Sequence, residues 1–234
     1  MELSARLQAI SDLVRYPTMA DIGTDHGYVP IALHKKNRIT KAFACDIHKG
    51  PLEKAKKNIQ AENAQNVIET RLGNGLCPLE PYEAESIVIA GMGGILISEI
   101  LLQSPQVVET AKELILSPHS DTDLVRRTLH EIGFFIEEEQ MLKEDGKYYT
   151  ILRAIHGQEK YHREIEYLYG KKLLEKKDSI LLEFLSEQKE KAKNIYETLC
   201  LVDTDSARMR KEELLAEIKN IEEGIQCLLR AEIL

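Results

Sequence analysis

The residues of this chain that could do chemistry begin in one short stretch, residues 19–28. An apolar run ends there at the carboxylate of Asp21 and continues into a turn that contains Gly23 and Gly27. Glycine permits positive φ and lets a ligand approach the backbone closely. A strand, a glycine turn and a helix from about Tyr28 are typical of the start of a nucleotide-binding α/β domain, although an ordinary strand-to-helix turn has the same local pattern.

The carboxylate of Asp25 indicates which kind of nucleotide would bind at this turn. A dinucleotide fingerprint that starts at Gly23 requires glycines at the positions of Asp25 and Tyr28. A carboxylate would repel a pyrophosphate at the helix N-terminus, but it is compatible with a positively charged ligand that has no phosphate. S-adenosylmethionine, with its sulfonium and ammonium groups, is such a ligand, whereas a nicotinamide cofactor is disfavoured.

Two further polar residues follow predicted strands. A β-compatible run at residues 41–47 reaches Asp46, which lies 25 residues after Asp21. An acid at this point of an α/β nucleotide fold accepts hydrogen bonds from ribose hydroxyls, although a solvent-exposed acid at a strand end is an equally good explanation. Asn74 precedes Gly75 in the next turn and could contact an adenine edge, and the alternative there is a plain Asn-Gly turn.

The elements that must position these residues alternate between strands and helices over residues 18–155. A helix is predicted over residues 1–16, and a β-branched run at 86–90 is followed by three glycines within residues 91–94. The last two predicted strands form a hairpin across the turn at residues 145–146. Ordinary dinucleotide-binding folds lack this hairpin. The predicted fold class is therefore α/β, a class I methyltransferase with a Rossmann-like seven-stranded sheet and a terminal antiparallel hairpin.

The pattern changes at Gly157. Beyond it we predict no strands, and apolar residues recur at alternating spacings of four and three over residues 181–202 and 214–228. These narrow apolar seams predict two long helices that pair antiparallel as a coiled-coil hairpin. The expected domains are residues 1–157, which would bind S-adenosylmethionine, and residues 158–234, the helical coiled coil.

Composition limits the classes of function. The chain has 234 residues, 43% of them hydrophobic and 30% charged, and a net charge of −8. We expect a cytoplasmic protein with no signal peptide and no membrane segment. The four cysteines show no metal-ligand spacing, so no metal site is expected. The negative charge argues against a generally basic nucleic-acid binder, but it does not exclude a local basic patch.

Four segments, taken in order, resemble the bacterial tRNA (adenine-22-N1)-methyltransferase family. They are residues 21–30, 73–76, 90–94 and 144–149. The similarity covers essentially the whole chain, including the opening residues 3–7 and the C-terminal helices. The resemblance implies S-adenosyl-L-methionine as cofactor, tRNA as partner, no obligate protein partner and methylation of N1 of adenine 22.

The resemblance also implies the site residues. The cofactor would be held by Arg6, Asp21, Gly23, Thr24, Gly27, Asp46, Ile47, Asn74, Gly75, Gly91 and Gly93, and the catalytic, substrate-side residues would be Asp25, His26, Tyr28 and Met92. One segment departs from the family: the studied branch has Gln-Pro-Asn where this chain has Ser117-Pro118-His119. Since this segment borders the predicted cleft, the departure concerns the target nucleoside more than the cofactor.

Other functions fit parts of the same pattern. The enzyme could methylate another RNA position or a small molecule, or the chain could be a non-catalytic RNA-binding protein on a methyltransferase fold. A complete set of cofactor residues argues against the non-catalytic alternative. The lysines of the helical arm, among them Lys189, Lys191 and Lys193, could contact phosphates, and a dimerising or purely structural coiled coil is an equally good explanation.

Overall fold

A computed structural model describes residues 3–230 of the chain. The strands are β1 (Thr18–Ile22), β2 (Lys41–Asp46), β3 (Ile68–Leu72), β4 (Ser86–Met92), β5 (Glu113–Pro118), β6 (Phe134–Glu144) and β7 (Lys147–His156). The helices are α1 (Ala5–Leu13), α2 (Tyr28–Lys35), α3 (Lys49–Ala61), α4 (Gly94–Gln103), α5 (Pro105–Val108), α6 (Thr122–Glu131), α7 (Glu164–Tyr169), α8 (Lys171–Glu175), α9 (Ser179–Cys200) and α10 (Asp205–Leu229).

The strands form one sheet in the order β3-β2-β1-β4-β5-β7-β6. Strands β1 to β5 are parallel, and β7 joins β5 antiparallel and pairs with β6 in a hairpin. The seven-stranded fold with its terminal hairpin is therefore confirmed. The chain order reverses between β1 and β4, and the crevice outside the carboxyl ends of strands at such a point is where α/β sheets bind ligands.

The core explains why the strand ends are held rigidly. Strand β1 is buried from Met19 to Ile22, and Ile10 and Leu13 of α1 belong to the same buried apolar cluster as Met19. Burial on both faces is typical of parallel strands with helical crossovers. The polar ends of β1 and β2 thus project from a packed core at one edge of the sheet.

Several boundaries differ from those predicted. Helix α1 ends at Leu13, three residues before the predicted end, because Val14 is extended and the backbone N–H of Arg15 donates to Glu113 Oε1 at 2.7 Å. Strand β4 continues past its predicted end at residue 90 to Met92, through an irregularity at Gly91, which has φ +81°. Glycine adopts this φ without strain, so the strand can continue through the bulge.

The chain divides into two compact units between Glu159 and Lys160. In the second unit, α9 and α10 have 22 and 25 residues and run antiparallel, with the ammonium of Lys189 2.9 Å from a carboxylate oxygen of Glu222. Their buried side chains include Leu181, Leu185, Leu214 and Ile221, which belong to the predicted seams. None of the helices described for this chain has the length and apolarity needed to cross a membrane.

Candidate active site

Two cavities adjoin at the carboxyl edge of the sheet. The first cavity, about 350 Å³, lies beside the ends of β1, β2 and β4, and the second, about 420 Å³, lies between β1 and α1. Both are lined by Gly23, Ala90 and Gly91, so these residues form the junction between the cavities. A bent ligand could therefore occupy parts of both.

The first cavity contains the polar residues at the ends of β2 and β3. The N–H of His48 donates to Asp46 Oδ1 at 2.7 Å, which fixes the orientation of this carboxylate. Asp46 is paired with Leu72 in the sheet register, so the turn with Asn74 and Gly75 follows directly beside it. A fixed carboxylate and an amide at one rim are suited to hydroxyl groups and to a heterocycle edge.

Asp21 lines the second cavity from the end of β1. Its carboxyl group is buried, and the hydroxyl of Thr24 donates to Oδ2 at 2.6 Å. The pKa of Asp21 is raised to about 6, because burial and, to a lesser extent, the charge of Asp46 raise it by more than the Thr24 hydrogen bond lowers it. The site thus holds an acid that would ionise more readily beside a cationic ligand.

Replacing Asp21 by asparagine is expected to stabilise the ligand-free protein at about pH 8. The pKa is raised from 3.8 to about 6, so the wild-type chain loses stability as pH rises through this interval. The shift corresponds to on the order of 3 kcal/mol at neutral pH. Urea unfolding at about pH 4 and pH 8 measures it, with Asp12→Asn as an exposed-acid control. Equal pH dependence in wild type and Asp21→Asn would contradict the assignment.

The turn after β1 is held by backbone hydrogen bonds. The N–H groups of Gly23 and Thr24 both donate to the carbonyl of Cys45, each at 2.9 Å. Gly23 has φ +74°, and a Cβ there would lie 2.2 Å from the terminal methyl of Met92. Met92 therefore covers Gly23 at the junction and lines the first cavity, rather than the second where the substrate-side residues lie.

The predicted substrate-side residues Asp25, His26 and Tyr28 all line the second cavity. The rings of His26 and Tyr28 stack with centroids 4.9 Å apart and an interplanar angle of 10°. His26 Nε2 lies 3.3 Å from Asp25 Oδ2, and the Asp25 side chain is 73% exposed. The amide of Asn58 donates to the carbonyl of His26 at 2.9 Å, so α3 supports this aromatic pair.

The structure distributes the other predicted residues as follows. Ile47 lines the first cavity, and Arg6 and Thr24 line the second. Gly27 and Gly93 are not among the described residues that line either cavity; they are the N-caps of α2 and α4. These two glycines shape the entry into helices, which is a backbone role rather than a direct contact in this arrangement.

Sequence reasoning assigned no role to several residues that line the site. Leu96 and Ile100 of α4 form an apolar wall of the first cavity. The only sequence feature that could have indicated this role is the apolar character of that helix. His119 lines the second cavity beside Arg6. It belongs to the segment that departs from the resembled family, and this departure is the sequence feature that points to it.

The donor set limits the ligands that fit. The described residues that line the first cavity include one acid, Asp46 at the end of β2, and no lysine or arginine, so nothing there favours a phosphate. The described residues that line the second cavity include one arginine, Arg6, and the acids Asp21 and Asp25. Among residues 3–230, no cluster of metal-ligating side chains occurs. A phosphate-free nucleoside with a zwitterionic end therefore fits this pair of cavities.

Comparison with known proteins gives one matching family model, described as a methyltransferase domain, over residues 3–152. A Bacillus subtilis (strain 168) protein named tRNA (adenine(22)-N(1))-methyltransferase is 30% identical. The alignment covers 96% of this chain and 98% of that relative. The similarity thus includes both compact units.

Solved structures give the same result. The crystal structure of the Bacillus subtilis M1A22 tRNA methyltransferase TrmK matches with a TM-score of 0.87 and 30% identity, over 96% of this chain and 99% of that one. TrmK of M. capricolum in complex with S-adenosyl-homocysteine, described there as the natural cofactor product, matches with a TM-score of 0.85 and 27% identity. That match covers 97% of this chain and 100% of the other.

Proposed function

The chain belongs to the family of tRNA (adenine(22)-N(1))-methyltransferases, and on this basis we propose that it transfers a methyl group from S-adenosyl-L-methionine to N1 of adenine 22 in tRNA. The observation that carries the proposal is the similarity over nearly the full length of both chains. Support from the site comes from the adjoining cavities, one suited to a phosphate-free nucleoside and the other accessible to a substrate base.

The residues that would hold the cofactor follow from the chemistry of the two cavities. Asp46 would accept hydrogen bonds from the two ribose hydroxyls, and Asn74 would contact the adenine edge. Asp21 would pair with the ammonium group, and Arg6 with the carboxylate. When bound, S-adenosyl-L-methionine supplies an electrophilic methyl group. All four residues line the cavities in the structure.

On the substrate side, the chain would bind and orient the target base. An adenine in folded tRNA is paired or stacked and must be extruded at a cost of a few kcal/mol. The stacked rings of His26 and Tyr28 offer an aromatic surface on which an extruded base can stack. N1 of adenine has a lone pair and no proton, so the reaction needs positioning and electrostatic stabilisation rather than a general base.

Asp25 would stabilise the positive charge that develops on the methylated ring. Its carboxylate lies in the same cavity as Tyr28 and contacts His26. We expect Asp25→Ala to lower kcat by about 100-fold, as for loss of one electrostatic group, while the affinity for S-adenosyl-homocysteine stays near wild type. Single-turnover methyl transfer and calorimetric binding measure the two effects. Equal losses in both would identify Asp25 as a cofactor-binding residue instead.

The helical unit would add to tRNA binding through phosphate contacts. The ammonium groups of Lys189, Lys191 and Lys193 each lie within 4.0 Å of a glutamate carboxylate in the same unit. These pairs compensate the lysine charges, so we expect this cluster to contribute less to tRNA binding than the cleft does. Phosphate contacts steepen the loss of affinity with salt, and the slope for Lys189→Gln/Lys191→Gln/Lys193→Gln against wild type tests the cluster.

The experiment that tests the proposed function is methylation of tRNA with labelled S-adenosyl-L-methionine, followed by nucleoside analysis. We expect 1-methyladenosine as the labelled product. Label in another nucleoside would favour a different RNA position, and failure to label tRNA despite cofactor binding would favour a small-molecule substrate. Absence of cofactor binding would favour the non-catalytic RNA-binding alternative.

A further inference from the structure

The junction of the two cavities is covered by an arginine and a histidine. Gly91 lines both cavities, and a Cβ built on it would have Arg6 Nη1 and His119 Nε2 as its nearest atoms, each at 3.8 Å. The two nitrogens come from distant parts of the chain, since Arg6 lies in the first turn of α1 and His119 follows β5. A guanidinium and an imidazole therefore meet on the side of Gly91 where other residues carry a Cβ.

The contact between these two side chains defines the state of the imidazole. Arg6 Nη1 lies 3.3 Å from His119 Nε2. A guanidinium can only donate, so Nε2 must accept, and the neutral ring carries its proton on Nδ1. Burial lowers the pKa of His119, and the charges of Arg6 and Lys147 lower it further. His119 is thus a neutral acceptor for Arg6 at neutral pH.

Other contacts restrict Arg6 from different directions. Its guanidinium carbon lies 5.0 Å from the ring centroid of Tyr149, within the range of a cation–π interaction. The rings of His119 and Tyr149 meet edge to face with centroids 6.1 Å apart. The backbone N–H of Ala5 donates to Glu144 Oε1 at 2.5 Å, which fixes the start of α1 against the β6–β7 hairpin. The guanidinium group of Arg6 and the helix start from which its side chain extends are therefore both held in place.

The charges in the second cavity indicate why Arg6 needs this support. The cavity is lined by the carboxylate of Asp21 and the guanidinium of Arg6. An anion and a cation in one cavity complement the ammonium and carboxylate of an amino-acid group. An arginine side chain has several rotatable bonds, so unsupported it would lose considerable conformational freedom on binding. Contacts that orient it beforehand reduce this cost.

We propose that His119 and Tyr149 are positioning residues that hold the Arg6 guanidinium over Gly91 for the amino-acid carboxylate of S-adenosyl-L-methionine. The inference rests on the proposed function, which supplies the cofactor. It adds a role for two residues that do not themselves need to contact the ligand. It also accounts for the neutral histidine, because a protonated ring would offer an N–H to a group that can only donate.

The test compares two ligands that differ in the amino-acid end. S-adenosyl-homocysteine has this end, whereas 5′-methylthioadenosine keeps the nucleoside and lacks it. In calorimetric titrations of the full chain, His119→Phe is expected to weaken S-adenosyl-homocysteine binding about tenfold and to leave 5′-methylthioadenosine binding unchanged. His119→Gln should retain most of the affinity, since its amide oxygen can accept from Arg6. Tyr149→Leu should show the same ligand selectivity.

Several outcomes would overturn the inference. Equal weakening of both ligands by His119→Phe would indicate a general structural effect, and thermal unfolding of each variant monitors folding independently. Failure of His119→Gln to restore affinity would exclude the acceptor role. Unchanged S-adenosyl-homocysteine affinity with a raised KM for tRNA would place Arg6 on the RNA side. If the wild-type chain binds neither ligand, the proposed function itself is wrong, which is a distinguishable result.

Discussion

Replacing Asp46 by alanine is expected to weaken binding of S-adenosyl-homocysteine by about 100-fold. The variant would remove the proposed acceptor for two ribose hydroxyls, and hydrogen bonds to a charged group contribute about 1.5 to 3 kcal/mol each. The carboxylate is already oriented by the N–H of His48, so its alignment costs little on binding. Isothermal titration calorimetry of the wild-type and variant proteins measures the effect directly.

Two controls make the Asp46 result specific. Asp46→Asn keeps one carbonyl acceptor and should lose less affinity than Asp46→Ala. Glu53→Ala removes an exposed acid of α3 that pairs with Lys56, outside both cavities, and should leave binding at the wild-type level. If Asp46→Ala binds S-adenosyl-homocysteine as tightly as Glu53→Ala, then Asp46 is only a strand-end acid exposed to water.

The second large effect concerns stability. Arg126 of α6 and Glu139 of β6 form a buried ion pair, with Nε and Oε1 2.8 Å apart and side chains 1% and 0% exposed. Removing one partner of a buried ion pair takes this compensation away from the other charge, which costs about 3 to 5 kcal/mol. Glu139→Ala is therefore expected to lower the free energy of unfolding by this amount. Urea denaturation followed by circular dichroism measures the loss.

A double substitution separates the charge effect from the loss of volume. Arg126→Met/Glu139→Leu replaces both charges by apolar side chains of similar size and is expected to recover most of the stability lost in Glu139→Ala. Glu131→Ala, at an exposed position of the same helix, serves as the control. A Glu139→Ala protein that is as stable as this control would contradict the assignment of the pair.

The elements with local sequence signals could be predicted well. The hairpin of β6 and β7 is predictable from the turn at Asp145 and Gly146, and the antiparallel pair α9 and α10 from two apolar seams. These signals depend on side-chain periodicity and turn chemistry within a few residues. Asp21 and Asp46 could be predicted as strand-end acids for the same reason, while their ligand roles stay predictions.

The contacts across the site could not be predicted in the same way. Arg6 and His119 are 113 residues apart, and their contact depends on how α1, β5 and β7 pack together. The glycine signal was also ambiguous, because Gly27 and Gly93 serve as N-caps rather than as described cavity lining. A glycine in the sequence indicates an unusual backbone conformation, but it does not distinguish a helix entry from close contact with a ligand.

The proposed reaction is methyl transfer to N1 of adenine 22 in tRNA. The most direct measurement is methyl transfer from labelled S-adenosyl-L-methionine to two tRNA transcripts that differ only at adenine 22. We predict incorporation into the parent transcript and none into the transcript in which this adenine is replaced by another base. Equal incorporation into both would contradict the assigned position, and no incorporation into either, with cofactor binding intact, would contradict tRNA as the substrate.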